Sequence, residues 1–268
     1  MSQLTSYKPG TPCWVELAAP DIDAAVAFYS GLLGWDVPEQ PPEIAEATGG
    51  YRRATLDGAD VAGMMPMMQE GQFPAWTTYV SVDDAAATAA TVRDAGGTVM
   101  VEPMEVMDLG TMAVFSDPGG AVFGVWQPGT FAGAGLVNET GALSWNELNT
   151  RDAEGASSFY GSVFGWQFDE QEMGEGETYT SLMLGGQPVG GMLDLAARGI
   201  PEEIPAHWQV YFVVDDTDAA IEQAKESGGG VMMEPIDSQA GRIAILQDPG
   251  GAAFAVIALS DMAEENAP

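Results

Sequence analysis

The stretch CWVELAAPDIDAAVAFYSGLLGW, residues 13–35, returns as SWNELNTRDAEGASSFYGSVFGW at residues 144–166. Trp14, Glu16, Leu17, Asp21, Ala25, Phe28, Tyr29, Gly34 and Trp35 recur as Trp145, Glu147, Leu148, Asp152, Ala156, Phe159, Tyr160, Gly165 and Trp166, all at one offset. In each copy an apolar run leads to an Asp able to cap a helix. Ile22, Ala25, Val26, Tyr29, Leu32 and Leu33 then fall on one helical stripe, which the second copy keeps with Ala153, Ala156, Tyr160, Val163 and Phe164. A period this long exceeds a solenoid repeat and suits a whole folding unit, so two related domains are expected.

The residues around the two copies extend the repeat. Asp36–Gly50 is rich in Pro and Glu and reads as a loop, after which Tyr51–Leu56 and Val61–Met65 flank Asp57-Gly58 as a β-hairpin. The second half has the same hairpin in Tyr179–Leu184 and Val189–Leu193 around Gly185-Gly186. A second strand, turn and helix follow at Thr77–Gly97 and Gln209–Gly229. Asp83-Asp84 and Asp215-Asp216 suit the helix starts, and Gly96-Gly97 and Gly228-Gly229 their ends. Val99–Pro103 and Val231–Pro235 read as strands, and Asp-Pro-Gly-Gly turns at 117–120 and 248–251 precede a last strand in each half. The expectation is an α+β fold of four βαβββ modules paired into two homologous domains, residues 1–127 and 141–262, with a linker at 128–140.

Composition narrows the function. The chain has 268 residues, 46% of them hydrophobic and 18% charged, which is globular rather than disordered. Eight Lys and Arg against 40 Asp and Glu give a net charge of −32, a field that repels nucleic-acid phosphates and anionic membrane surfaces. No nucleic-acid and no membrane partner is therefore expected, and the oligomeric state is left open. The lone Cys13 cannot form an intramolecular disulfide, and MSQLTSYKPG at the N-terminus lacks the apolar core of a signal peptide, so a cytoplasmic location is expected. Cys13 has no base or cation beside it in sequence and reads as a buried structural thiol.

With the fourfold βαβββ order, the D-x6-FY signature before LGW or FGW and the two DPGG turns, the chain resembles the vicinal oxygen chelate superfamily, which includes glyoxalase I, extradiol dioxygenases and bleomycin-resistance proteins. The closer likeness is to two-domain actinobacterial glyoxalase-like members, some of them in aromatic-polyketide pathways. The resemblance implies a metal ligand on the first strand of each domain, seven residues before the capping Asp, with further ligands on later strands. Those positions hold Trp14, Thr77 and Gly124 in one half and Trp145, Gln209 and Ala255 in the other. Indole, glycine and alanine give a divalent ion no donor, so no metal and no other cofactor is expected.

Alternation on the first strand puts Trp14 with Glu16, and Trp145 with Glu147, on one face, which the resemblance makes the concave one. Each pair offers an indole platform beside a carboxylate that could accept a ligand's hydrogen bond or act as a general base; a carboxylate paired internally is the alternative. Thr77 and Tyr79, or Gln209 and Tyr211, would form the next wall, with His207, the single histidine, continuing the latter. Met64, Met65, Met67 and Met68 could adapt to an apolar ligand or simply fill the core, whereas Phe28, Tyr29, Phe159 and Tyr160 read as core. The leading functional expectation is metal-independent binding of a hydrophobic aromatic small molecule in sequestration, resistance or an accessory pathway role. Two others stand beside it: a metal-free isomerase, cyclase or hydroxylation partner with Glu16 or Glu147 as base, and an interaction module with vestigial pockets. The C-terminal half, with His207 and Gln209, is expected to be the more active in binding.

Overall fold

A computed structural model describes residues 4–67, 71–174 and 177–260. The N-terminal half runs β1 (Pro12–Ala19), α1 (Ile22–Leu33), α2 (Pro42–Ala47), β2 (Arg52–Leu56), β3 (Ala59–Pro66), β4 (Ala75–Ser81), α3 (Ala85–Asp94), β5 (Thr98–Val106), β6 (Gly110–Ser116) and β7 (Val122–Pro128). The C-terminal half runs β8 (Leu143–Thr150), α4 (Ala153–Phe164), β9 (Gln167–Gly174), β10 (Glu177–Leu184), β11 (Gln187–Asp194), β12 (His207–Val213), α5 (Thr217–Glu226), β13 (Gly230–Asp237), β14 (Gly241–Gln247) and β15 (Ala253–Leu259). Asp21, Asp84, Asp152 and Asp216 each accept a hydrogen bond from the backbone N–H three residues on, so the four main helices start where a capping carboxylate stands. No helix among the described residues is long and apolar enough to cross a membrane.

Each half forms its own sheet, in the order β2-β3-β1-β4-β7-β6-β5 and β13-β14-β15-β12-β8-β11-β10-β9. The two differ at one edge, because the first module lacks a counterpart of β9. Its residues 36–50 carry Pro38, Pro41 and Pro42, which cannot donate to a ladder; they hold the short α2 and pair with the sheet through an isolated Asp36–Thr55 bridge. The corresponding Gln167–Gly174 has no proline and pairs with β10. The expected three strands after every helix therefore become two in the first module.

The cores cross the boundary between the halves. One buried cluster joins Phe28, Tyr29, Leu33, Trp35 and Trp76 to Val210, Phe212, Ile221 and Phe254. The other joins Val80, Val92, Phe115 and Phe123 to Leu148, Phe159, Tyr160, Trp166 and Trp208. Helix α1 packs on α5 and α3 on α4, and where the sheets meet back to back Thr78 Oγ1 on β4 donates to Asn146 Oδ1 on β8 at 2.7 Å. Val15, Leu17 and Ala19 face this core, so by alternation Trp14 and Glu16 face outward from it.

Hydrogen bonds made by the repeated motif fasten the crossing. Tyr29 Oη donates to Asp248 Oδ2 of the opposite half at 3.1 Å and accepts from Trp76 Nε1 at 3.0 Å. Tyr160 Oη donates to Asp117 Oδ2 at 3.0 Å and accepts from Trp208 Nε1 at 3.0 Å. The second oxygen of each Asp closes its own DPGG turn by accepting from Ala121 N at 2.8 Å or Ala252 N at 2.9 Å. Trp35 Nε1 reaches Gly141 O, and Trp166 Nε1 reaches Gly10 O, each at 2.7 Å. Phe28, Tyr29, Phe159 and Tyr160 are thus core, as their spacing implied, and Cys13 is fully buried with burial pushing its thiol up.

Replacing Tyr29 by Phe leaves both Trp76 Nε1 and the buried Asp248 carboxylate without their partner. Tyr29→Phe and Tyr160→Phe should each lower the unfolding free energy by about 2–4 kcal/mol in urea titrations. A loss under about 0.5 kcal/mol, the range of an ordinary surface change, would show that these bonds do not hold the halves together.

Candidate functional site

The outward face of the N-terminal sheet gathers the expected residues. Antiparallel register sets Trp14 opposite Tyr79 and Glu16 opposite Thr77. Trp14 Nε1 donates to Tyr51 Oη at 3.1 Å, and Tyr79 Oη donates to Glu16 Oε1 at 3.1 Å. The arrangement needs bare backbone on the neighbouring strands: a Cβ on Gly63 would lie 2.0 Å from the Tyr51 hydroxyl, and one on Gly124 would lie 2.3 Å from the Tyr79 ring. Trp14 is 4% exposed, covered by Tyr79, Trp126 and the ring of Phe131 from the connecting segment.

The C-terminal sheet repeats the chain of bonds with a different surround. Trp145 pairs with Tyr211, Glu147 with Gln209 and Asn149 with His207. Trp145 Nε1 donates to Tyr179 Oη at 2.8 Å, Tyr211 Oη donates to Glu147 Oε1 at 2.8 Å, and Gly191 gives Tyr179 the room that Gly63 gives Tyr51. Here Trp145 is only partly buried, beside an apolar wall of Ile243, Ile245, Ile257 and Leu259. Gln209 lies buried against Glu147, its amide donating to Val210 O at 3.3 Å. His207 stands at the start of β12 with Nδ1 in hydrogen-bond contact with Pro205 O at 2.9 Å. The structure thus brings Trp145, Glu147, Gln209 and Tyr211 together, leaves His207 at the margin, and puts Trp14, Glu16, Thr77 and Tyr79 on the other sheet.

Burial sets the charge state of both carboxylates. Glu16 is pushed up to about 7 by desolvation, opposed by hydrogen bonds from Tyr79 and Tyr51. Glu147 is raised for the same reason, with Tyr211, Tyr179, the charge of Arg198 and Asn149 opposing the rise. Burial and then the adjacent carboxylate hold Tyr51, Tyr79, Tyr179 and Tyr211 far above the ordinary phenol range, so all four stay protonated donors. Arg198 rides on a loop whose start is fixed by Asp194 accepting from Ala196 N and Ala197 N, and whose far end is held by Arg151 donating to Ile200 O and Ile204 O.

Of the positions that the resemblance assigns to metal ligands, Trp14, Gly124, Trp145 and Ala255 offer no donor, which leaves one neutral side-chain oxygen on each sheet, from Thr77 or Gln209, too little to hold a divalent ion. Both indole N–H groups are donors engaged with tyrosines, Gly124 has no side chain and is overlain by the Tyr79 ring, and Ala255 stands in register with Tyr211. Among the described residues no three His, Cys, Asp or Glu side chains converge as ligands. Met64 is core, Met65 and Met67 are partly buried, and Met68 lies outside the described residues.

Sequence reasoning missed Tyr51, Tyr179, Arg198 and Phe131. The first two carried a signal, since each opens the first strand of its hairpin and faces an equivalent glycine on the second; Arg198 and Phe131 belong to one half only and left none.

Glu16 binds its proton more tightly folded than unfolded, so it withdraws stability as pH rises from about 4.5 to about 7, by at most ~3.5 kcal/mol. Glu16→Gln keeps an oxygen for Tyr79 and removes the charge. Its melting temperature should exceed the parent's increasingly from pH 5 to pH 8, and a constant difference across that range would contradict the buried, proton-retaining carboxylate.

Comparison with known proteins agrees with the fold. A family model described as the Glyoxalase/Bleomycin resistance protein/Dioxygenase superfamily matches residues 13–125 and again 142–256. A Mycobacterium bovis protein with a provisional glyoxylase name, CFP32, is 41% identical over 261 residues, covering 96% of this chain and 98% of that protein. The anthracycline biosynthesis protein DnrV of Streptomyces peucetius is 37% identical over 274 residues, with 96% of each chain covered. Among solved structures, the Mn(II)-bound glyoxalase of Novosphingobium aromaticivorans superposes with a TM-score of 0.62 at 17% identity, covering all of this chain and 87% of that one. The 2,3-dioxygenase LapB of Pseudomonas sp. KL28 gives 0.63 at 14%, covering 95% and 93%. The chain belongs to the glyoxalase, bleomycin resistance protein and dioxygenase superfamily, as a member that carries the family unit twice.

Proposed function

We propose that the protein binds a hydrophobic aromatic small molecule without a metal, on the outer face of the C-terminal sheet around Trp145, as a sequestering or accessory pathway protein. The observation that carries this reading is the contrast between the two indoles: Trp14 is sealed, whereas Trp145 stands partly open between an apolar wall and a buried carboxylate. A flat ring can lie against Trp145 and Ile243, and a hydroxyl or amine on its rim can donate to Glu147, whose polar surroundings include Gln209, Asn149 and Arg198. The names of relatives in anthracycline biosynthesis support a fused aromatic ligand. A net charge of −32 disfavours nucleic acid and anionic ligands alike.

Equilibrium dialysis against a panel of aromatic metabolites, with chelator present throughout, tests this reading. Trp145→Ala should weaken binding by about 1–3 kcal/mol, roughly 5- to 150-fold, while Trp14→Ala has little effect beyond stability. Equal losses at the two positions, no binding by the parent, or binding abolished by chelator would each reject it.

A second reading follows from the burial-raised Glu147 with two phenols and a guanidinium about it, which could move a proton on the bound molecule as a metal-free isomerase or cyclase does. Glu147→Gln separates the two. An enzyme loses turnover by 100-fold or more while binding is kept within about 1–2 kcal/mol; a binder has no turnover to lose.

A further inference from the structure

We infer that Phe131 is a resident occupant of the N-terminal cleft, seated where the C-terminal cleft takes its aromatic ligand, and that removing its ring opens a second site for uncharged aromatic molecules of one or two rings. The inference rests on the reading proposed above and deepens it.

The seat is built for an aromatic ring. Phe131 meets Trp14 edge-on, centroids 4.9 Å apart at 88°, and meets Trp126 at 5.9 Å and 75°. The Arg53 guanidinium stands over the ring at 5.5 Å from its centroid. A cation over a ring's face and neighbouring rings set nearly perpendicular to it are arrangements the aromatic quadrupole favours. The contacts would serve a free phenyl or naphthyl group as well as a tethered one.

The backbone that carries Phe131 is anchored independently of the ring. Phe131 N donates to Leu109 O at 3.1 Å, Trp126 Nε1 donates to Phe131 O at 2.8 Å, and Ala134 N donates to Cys13 O at 2.8 Å. Tyr7 Oη closes over the same segment by donating to Ala134 O at 2.7 Å. Truncating the side chain therefore vacates the seat and leaves the strap in place.

The opposite cleft is the same seat with less in it. Ile257 occupies on β15 the register position that Trp126 holds on β7, opposite Val213 and Ser81 respectively. Trp145 packs beside Tyr211, Ala255 and Ile257, its N–H donating to the Tyr179 hydroxyl, and keeps part of its surface exposed. Phe131, from the connecting segment, adds to Trp14 a ring at 88° that has no counterpart on Trp145 among the described residues.

The test is the stoichiometry of 1-naphthol binding, measured by equilibrium dialysis on the full chain, on Phe131→Ala, on Trp145→Ala and on the double variant. One site in the parent, two in Phe131→Ala and one in the double variant are expected. One site in the parent that stays one in Phe131→Ala and vanishes in the double variant overturns the inference and leaves the C-terminal reading intact. No site in the parent but one in Phe131→Ala supports the inference and overturns the C-terminal reading, and none in either overturns both. Where Phe131→Ala does not fold, Phe131→Leu, which removes the flat ring and keeps apolar cover, is read in the same way.

Discussion

The structure depends on a pair of crossed hydrogen bonds, Tyr29 to Asp248 and Tyr160 to Asp117, each carried from the helix of one half to the last turn of the other. Each Asp is buried, and desolvation raises its proton affinity against the hydrogen bonds that hold it. A carboxylate in that position is tolerable only with its full set of donors, which come from both halves. Neither half can therefore complete its own core: Phe212 and Phe254 finish the cluster around Tyr29, and Phe123 finishes the one around Tyr160. With helices and cores turned inward, the two curved faces that carry Trp14 and Trp145 are left facing outward.

On those outer faces the same chain of Trp, Tyr, Glu and Tyr appears twice. In the first half the Trp14–Tyr51 bond joins β1 to the residue that leads into β2, across β3, and the Tyr79–Glu16 bond joins β4 to β1. The set is thus a brace across four strands before it is anything else, which explains its presence under the covered cleft as well as in the open one. Apart from the strand β9 that only the second half has, the halves diverge above this brace. Phe131 and Trp126 close one cleft, whereas Ile257 and the loop bearing Arg198 leave the other partly open with a cation near its carboxylate. A binding site here is the brace with its cover removed.

The repeat, the helix caps and the outward pairing of indole with carboxylate were legible in the sequence because each is a local or periodic signal, such as Asp21 before an amphipathic stripe or Trp14 two residues from Glu16. The strand missing beside β2 was legible in hindsight through Pro38, Pro41 and Pro42. The role of the FY pair was half visible: its spacing marked Tyr29 as core, but a bond from Tyr29 to Asp248 spans 219 positions and follows from the way the halves dock. Phe131 was hidden for a related reason. Its segment reads as a glycine-rich linker, and only the tertiary path of that segment over β1 and β7 makes its one aromatic ring a cover.

On the proposed reading the two outer faces share a brace and differ in access, so that the face of Trp145 takes a ligand and that of Trp14 does not. The most direct measurement is the indole N–H region of the NMR spectrum during titration with an aromatic ligand, with the resonances of the seven tryptophans assigned by substitution. The account predicts that the Trp145 resonance moves, because its N–H already donates to Tyr179 beside the open face, while Trp14 and the core indoles Trp35, Trp76, Trp166 and Trp208 stay in place. Movement of Trp14 as large as that of Trp145, or of neither at saturating ligand, would contradict it.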